Sequence, residues 1–261
     1  MRPAAARPPA AIRGATLLST RASETIQVEP RYCGPADRAN GGYVAGLLAR
    51  FFEQSFQVTY RRAIPLGRPV RVLEHAPGEL HVVDGDAVLA EAKAITFDVA
   101  VPPPPSPQQA EAATRNYVGL RDHPFPRCFV CGTLRAEGDG LRIFAGPVEH
   151  EKQVAAPWTP HVAFAGRRGE IQSEVLWAAL DCPGCFAALL DRPPQAAVLG
   201  RFAAQVTRLP RAGERCLVYG WPIAHDRRKH EVGTAIIDPE GALLGCAAAT
   251  WIDVTHRDSG A

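Results

Sequence analysis

Ser55 to Val99 reads SFQVTYRRAIPLGRPVRVLEHAPGELHVVDGDAVLAEAKAITFDV. Leu199 to Val254 reads LGRFAAQVTRLPRAGERCLVYGWPIAHDRRKHEVGTAIIDPEGALLGCAAATWIDV and repeats the same design. Each stretch opens on a β-rich run and turns at a Pro/Gly corner, Pro65 with Gly67 in one and Pro210 with Gly213 in the other. A strand and a hairpin follow, and an alternating Ala/Thr strand closes each stretch at Asp-Val. In the first copy Val88, Ala90, Ala92, Ala94 and Thr96 alternate with Leu89, Glu91, Lys93 and Ile95, the period-two pattern of a strand. Self-similarity on this scale is read before local structure, because missing it misplaces the whole fold. An apolar helical stretch precedes each block. A helix followed by an antiparallel meander, present twice, predicts an α+β fold of two copies packed as a pseudo-dimer, with any site between the copies.

The two helices differ. Gly42 to Gln54, GYVAGLLARFFEQ, carries Val44, Leu47, Leu48, Phe51 and Phe52 at three- and four-residue spacing and predicts one buried helix. The second is expected from Ser173, a plausible N-cap, to about Leu190, but Pro183 and Gly184 fall inside it, so it must kink, loosen or break there. Ile26 to Glu29 reads as a short strand, Pro35 to Gly42 as a loop, and Gly140–Phe144 and Gln153–Trp158 as strands. Val101 to Ala113, with four consecutive prolines, reads as a semi-rigid extended spacer. The expected organisation is a disordered tail over 1–25, a first repeat over 26–100, a Pro-rich linker over 101–116, a second repeat over 117–254 and a tail over 255–261.

At 261 residues the chain can form two units of roughly 100–130 residues, each with its own core. A net charge of +2 with scattered basic residues argues against nucleic acid as a partner. The densest basic cluster, Asp226 to His230, falls where a hairpin tip is expected and reads as a solvated turn that could still meet the phosphates of a carrier. No stretch approaches the ~20 apolar residues of a membrane span. The Arg- and Pro-rich N-terminus lacks the apolar core of a signal peptide. These features point to the cytoplasm, where the seven cysteines are expected as thiols or metal ligands rather than disulfides.

Two motifs stand out. Asn40-Gly41-Gly42-Tyr43 opens the first helix, and its glycines allow a ligand close to unpaired N–H groups that suit an oxyanion. The plainer alternative is a Gly-rich loop capped by Asn40. Asp181 lies in an otherwise apolar run, where an ionised carboxylate is costly unless it is paired or faces a polar cleft. It is a candidate base or nucleophile, or a residue that merely ends a helix before Pro183. By rough register Phe51 occupies the matching place in the first copy, so each copy carries only half of a possible site.

Cys128-Phe129-Val130-Cys131 and Cys182-Pro183-Gly184-Cys185 are two CxxC pairs about 50 residues apart. Two such pairs are a zinc signature, but common ribbons separate them by only ~15–20 residues. Redox-active thiols are a further option. The reading adopted is that Cys182 and Cys185 pack as small apolar residues and Cys128 and Cys131 shape a loop, with no metal and no cofactor assigned. Cys33, Cys216 and Cys246 are isolated and read as structural. His123, His161, His225 and His230 form no ligand-like spacing, and no GxSxG, P-loop or dinucleotide fingerprint is present.

The chain resembles the double hotdog acyl-CoA thioesterase-like proteins, in which a long central helix is wrapped by an antiparallel sheet. NGGYVAGLLARFF is similar to their first central helix, the corner and closing strands to their sheet in both halves, and SEVLWAALDCPG to the acid-bearing helix. The resemblance implies hydrolysis of an acyl thioester of coenzyme A or an acyl carrier protein, with possible pairing of pseudo-dimers into homo-oligomers. It gives Gly41 and Gly42, with Asn40, the task of polarising the carbonyl, and Asp181 that of base or nucleophile. Asn40 departs from the His that many relatives carry there. Arg201, Gln205 and Thr250 are loose counterparts of a Thr/Gln pair in one branch. The acyl chain is expected between the two helices near Tyr43, Phe51, Phe52, Trp177 and Phe186. A binding protein without turnover, or a dehydratase- or cyclase-type enzyme on the same fold, are the alternatives.

Overall fold

A computed structural model of the chain describes residues 24–190 and 196–254. The expected tails, up to residue 23 and from 255 onward, lie outside the described residues. Among the described residues eleven strands form one antiparallel sheet: β1 (Glu24–Gln27), β2 (Phe56–Tyr60), β3 (Pro69–Ala76), β4 (Glu79–Asp84), β5 (Ala87–Ala94), β6 (Gly146–Pro147), β7 (Val154–Trp158), β8 (Ala197–Val206), β9 (Cys216–Asp226), β10 (Lys229–Ile237) and β11 (Leu243–Asp253). Their order across the sheet is β1-β3-β4-β5-β2-β8-β11-β10-β9-β7-β6.

That order is nearly a palindrome. In each half the strand after the helix pairs with the last strand, the last pairs with the one before it, and so outward. The first strands of the two copies, β2 and β8, meet at the centre with Val58 opposite Phe202. The outermost places correspond as well, since β1 precedes the first helix and lies beside β3, while β7 precedes the second helix and lies beside β9. The two Pro/Gly corners are conformationally alike, with Gly67 at φ 72° and Gly213 at φ 84°, a backbone region open to glycine at no steric cost. The chain therefore has the α+β double hotdog fold.

Among the described residues four α-helices accompany the sheet: α1 (Gly41–Leu48), α2 (Pro107–Arg115), α3 (Ser173–Ala179) and α4 (Cys182–Ala188). Gly42 approaches Trp177 and Ala178 while Gly46 approaches Glu174, so α1 and α3 run antiparallel across the pseudo-dyad. Val44, Leu48, Leu176 and Leu180 are fully buried between helices and sheet. Each such side chain contributes on the order of 2 kcal/mol by leaving water.

Several expected boundaries move. The first helix is shorter than 42–54, because after Leu48 the chain tightens into a 3-10 turn over Ala49–Phe51. β1 begins at Glu24, inside the expected tail, and β5 ends at Ala94, before Thr96. Residues 140–144 form no strand; Leu141 and Ile143 instead bond the backbone of Phe129 and Val130. The proline segment is not extended throughout. Ser106 caps α2 with a reciprocal capping box to Gln109, and Ala110 and Ala113 of α2 pack on the outer face of the sheet with Val148 and Ala155. At the expected hairpin tip, Arg227 and Arg228 turn β9 into β10 on an exposed surface. No helix of the described residues is long and apolar enough to cross a membrane.

Candidate active site

The second helix breaks ahead of its proline, with α3 ending at Ala179 and α4 beginning at Cys182. Pro183 has no N–H to offer the carbonyl four residues back, and its ring crowds that carbonyl, so α3 cannot run through it. At the start of a new helix the missing N–H costs nothing, and Pro183 sits in the first turn of α4. Between the two helices stand Leu180 and Asp181. Thr234 of β10 donates its hydroxyl to the Leu180 carbonyl at 2.6 Å, satisfying an acceptor that the break exposes. The break turns Asp181 across the pseudo-dyad towards the N-terminus of α1.

The helix start there is fully accounted for except at one atom. Asn40 caps α1, its Oδ1 accepting from the Tyr43 N–H at 2.9 Å, and its carbonyl accepts from Val44. The Gly42 N–H donates to Asp181 Oδ2 at 3.0 Å, and Asn40 Nδ2 donates to the same oxygen at 2.9 Å. A carboxamide is suited to this position because it accepts from one side and donates on the other. The Gly41 N–H alone has no partner among the described residues. Gly42 must be glycine, since a Cβ would lie 2.6 Å from Asp181 Cβ and 2.7 Å from the Trp177 carbonyl oxygen. Tyr60 of β2 donates its hydroxyl to the Gly41 carbonyl at 2.5 Å.

Asp181 is 1% exposed. Burial pushes its carboxyl up to about 7, against the pull of the Gly42 N–H and, after a further push from Cys128, of the Asn40 amide. Its Oδ1 is buried without a hydrogen-bond partner. Asp181, Asn40 and Gly41 stand along a cleft of about 260 Å³, walled by Leu199 of β8, Trp251 of β11 and Phe186 of α4, with Arg38, Arg61 and Arg62 also lining it. His123 reaches the same cleft, but Nδ1 accepts from the Phe125 N–H and Nε2 lies 3.0 Å from the Cys131 carbonyl, so both nitrogens are occupied.

The cysteines also converge here. The segment from Tyr117 to Ala145 folds over the start of α1 and sets Cys128 and Cys131 beside Cys182, with the Cys128 and Cys182 sulphurs 3.6 Å apart. Hydrogen bonds from the Cys131 and Cys182 thiols hold Cys128 well below the ordinary thiol range, while its partners are raised. Cys182 and Cys185, expected as packing residues, and Cys128 and Cys131, expected to shape a loop, all line the cleft.

Other expectations are corrected. Gly42 N–H is bound to Asp181, so Gly41 is the glycine with a donor to spare. No groove separates α1 from α3. Phe51, Phe52 and Trp177 are core residues, with Phe52 stacked on Phe56 and Phe56 on Trp177. Tyr43 stacks on Tyr32 away from the cleft. Arg201 and Gln205 point outward from β8, Arg201 opposite Thr250, and none of the three lines the cleft. Of the proposed apolar contacts Phe186 alone does. Tyr60, Leu199 and Trp251 carried no local signal; only the pairing of β2 with β8 and of β8 with β11 brings them in.

The fold matches solved structures across nearly the whole chain. The tesB protein of Mycobacterium avium subs paratuberculosis superposes with a TM-score of 0.57 at 13% identity, over 91% of this chain and 95% of that one. An acyl-CoA thioesterase II, TesB2, from Mycobacterium marinum gives 0.56 at 13% identity, over 92% and 96%. A hot dog fold protein of unknown function from Alicyclobacillus acidocaldarius gives 0.57 at 12% identity, over 91% and 95%. No family model and no curated protein matches the chain.

Proposed function

We propose that the cleft hydrolyses an acyl thioester. The observation that carries this is a buried carboxyl from one copy pinned against the helix start of the other, with one oxygen held by two donors and the second unpartnered. The scissile carbonyl oxygen takes the Gly41 N–H, where the positive end of α1 stabilises developing negative charge. Asp181 Oδ1 removes a proton from water as the water oxygen bonds to the carbonyl carbon. The C–S bond then breaks, and the departing thiolate takes up the proton. A carboxyl raised to about 7 suits a base near neutral pH. Tyr60 and Asn40 hold the groups in place without touching the reacting atoms.

The cleft is just below the roughly 300–1,000 Å³ of sites for drug-sized ligands, which favours a short or medium acyl group. Arg62, exposed at the cleft, with Arg38 and Arg61 beside it, suits the phosphates of coenzyme A or of a carrier's phosphopantetheine. The acyl-CoA thioesterase name of the Mycobacterium marinum neighbour fits the same reading. Thiol release from short, medium, long and aromatic acyl-CoA substrates tests it, with Asp181→Asn alongside. Release that falls about 10²–10⁴-fold in the variant supports the mechanism. Release undiminished in the variant removes Asp181 from it.

Binding without turnover is the second reading, favoured by the closure of Asp181 Oδ1 to solvent. Saturable binding of an acyl thioester with no thiol release from any substrate selects it.

A further inference from the structure

We infer that Cys128, Cys131 and Cys182 bind a single Zn²⁺, with the fourth coordination position open to the cleft beside Asp181. The three sulphurs lie within 4.8 Å of one another and come from two segments far apart in sequence. A tetrahedral zinc with Zn–S bonds of about 2.3 Å places its sulphurs about 3.8 Å apart. The Cys128–Cys182 separation of 3.6 Å already meets that spacing.

The surroundings are those of a thiolate cradle. Cys128 and Cys131 lie on one tight turn. Gly132 closes this turn by donating its N–H to the Cys128 carbonyl at 2.9 Å. Asn40 Nδ2 lies 3.8 Å from the Cys182 sulphur, a further donor from outside the ligand set. Amide donors around metal-bound sulphur spread its negative charge and fix its orientation. The sequence spacing argued against a ribbon, and the structure is not one. A loop and a helix break supply the ligands, so the linear separation of the pairs carries no constraint.

Cys185 completes the second CxxC but stands outside the group of three, on the cleft wall. All three ligands line that cleft as well, so the remaining vertex faces it. Three protein ligands with one open position distinguish a reactive zinc from a closed structural one. Three buried thiols also cannot pair off as disulfides without leaving one over.

The test is independent of whether the cleft hydrolyses thioesters. The full chain is purified in reductant, stripped with a chelator, and titrated with Zn²⁺ and then Co²⁺. The expected result is one zinc per chain, proton release on binding, and the thiolate-to-cobalt charge-transfer absorption of a tetrahedral site. Cys128→Ser and Cys182→Ser should each weaken binding about 100-fold or more, while Cys185→Ser leaves it within about threefold. Loss of binding in Cys185→Ser equal to that in Cys182→Ser overturns the open three-cysteine site. A wild-type chain that takes up neither metal overturns the proposal, as does a mass lower by two hydrogens that marks a disulfide in its place. Should the serine variants not fold, the wild-type thermal midpoint decides: zinc is expected to raise it, and no shift overturns the proposal.

Discussion

The two central helices hold equivalent places in the fold and end as opposites. α1 runs unbroken from a double glycine and offers backbone donors; α3 stops at Ala179, and the break delivers a carboxyl. Neither end is competent alone. At the first copy Phe51 closes the helix into the core, while at the second Asp181 turns outward across the dyad to Gly42 and Asn40. The lesson is that two copies of one design in a single chain allow asymmetry. A symmetric dimer would have to place the same residue at both ends, whereas the fused pair keeps one polar junction and one apolar one.

The sharpest way to break this comparison is to push the helices apart. Gly42→Ala inserts a methyl between two backbones that cannot retreat without moving the sheet, and overpacking of this kind costs typically 1–3 kcal/mol, here at the upper end of about 3. Urea unfolding should show that loss, together with thiol release reduced to background. A variant as stable as the parent would mean that α1 and α3 are less closely packed than described.

Asn40 offers a comparable but more divisible effect. Asn40→Ala removes a helix cap worth about 1 kcal/mol and a donor to a buried carboxyl worth about 1.5–3 kcal/mol. Asn40→Ser keeps a hydroxyl able to cap but too short to reach Asp181. It should recover about 1 kcal/mol of stability while turnover stays as low as in Asn40→Ala. Equal stabilities for the two variants would show that capping is not part of what Asn40 does.

The fold was legible because it was written twice. The Pro/Gly corners and closing strands of two stretches supported each other where either alone was ambiguous, and Asp181 stood out as an acid in an apolar run. What resisted reading was everything set by tertiary pairing. Phe51 and Phe52 keep helical spacing, yet the helix ends before them, so their periodicity described core burial and not a groove. Pro183 announced a break, but the residue that the break exposes is decided by Thr234 from a distant strand. The cysteine pairs looked too far apart because linear spacing says nothing about a loop that folds back over α1.

The least severe test concerns the peptide that joins Gly41 to Gly42, which is clamped from both copies at once. Its carbonyl accepts from Tyr60 and its N–H donates to Asp181. Tyr60→Phe removes one clamp and leaves the other, and the carbonyl keeps its place in the first turn of α1. Burial, with the nearby Asp181 charge, holds the Tyr60 phenol well above its ordinary range, so it is a neutral donor at every working pH. A neutral hydrogen bond of this kind is worth about 1 kcal/mol, or somewhat less than tenfold in rate if it acts only through orientation. The expected signature is a modest fall in kcat with KM unchanged, because Tyr60 holds the backbone and not the acyl group. A fall in kcat as large as that of Asp181→Asn would instead place the phenol among the groups that touch the reacting atoms, and the division of labour between the two helix ends would have to include a third partner from the sheet.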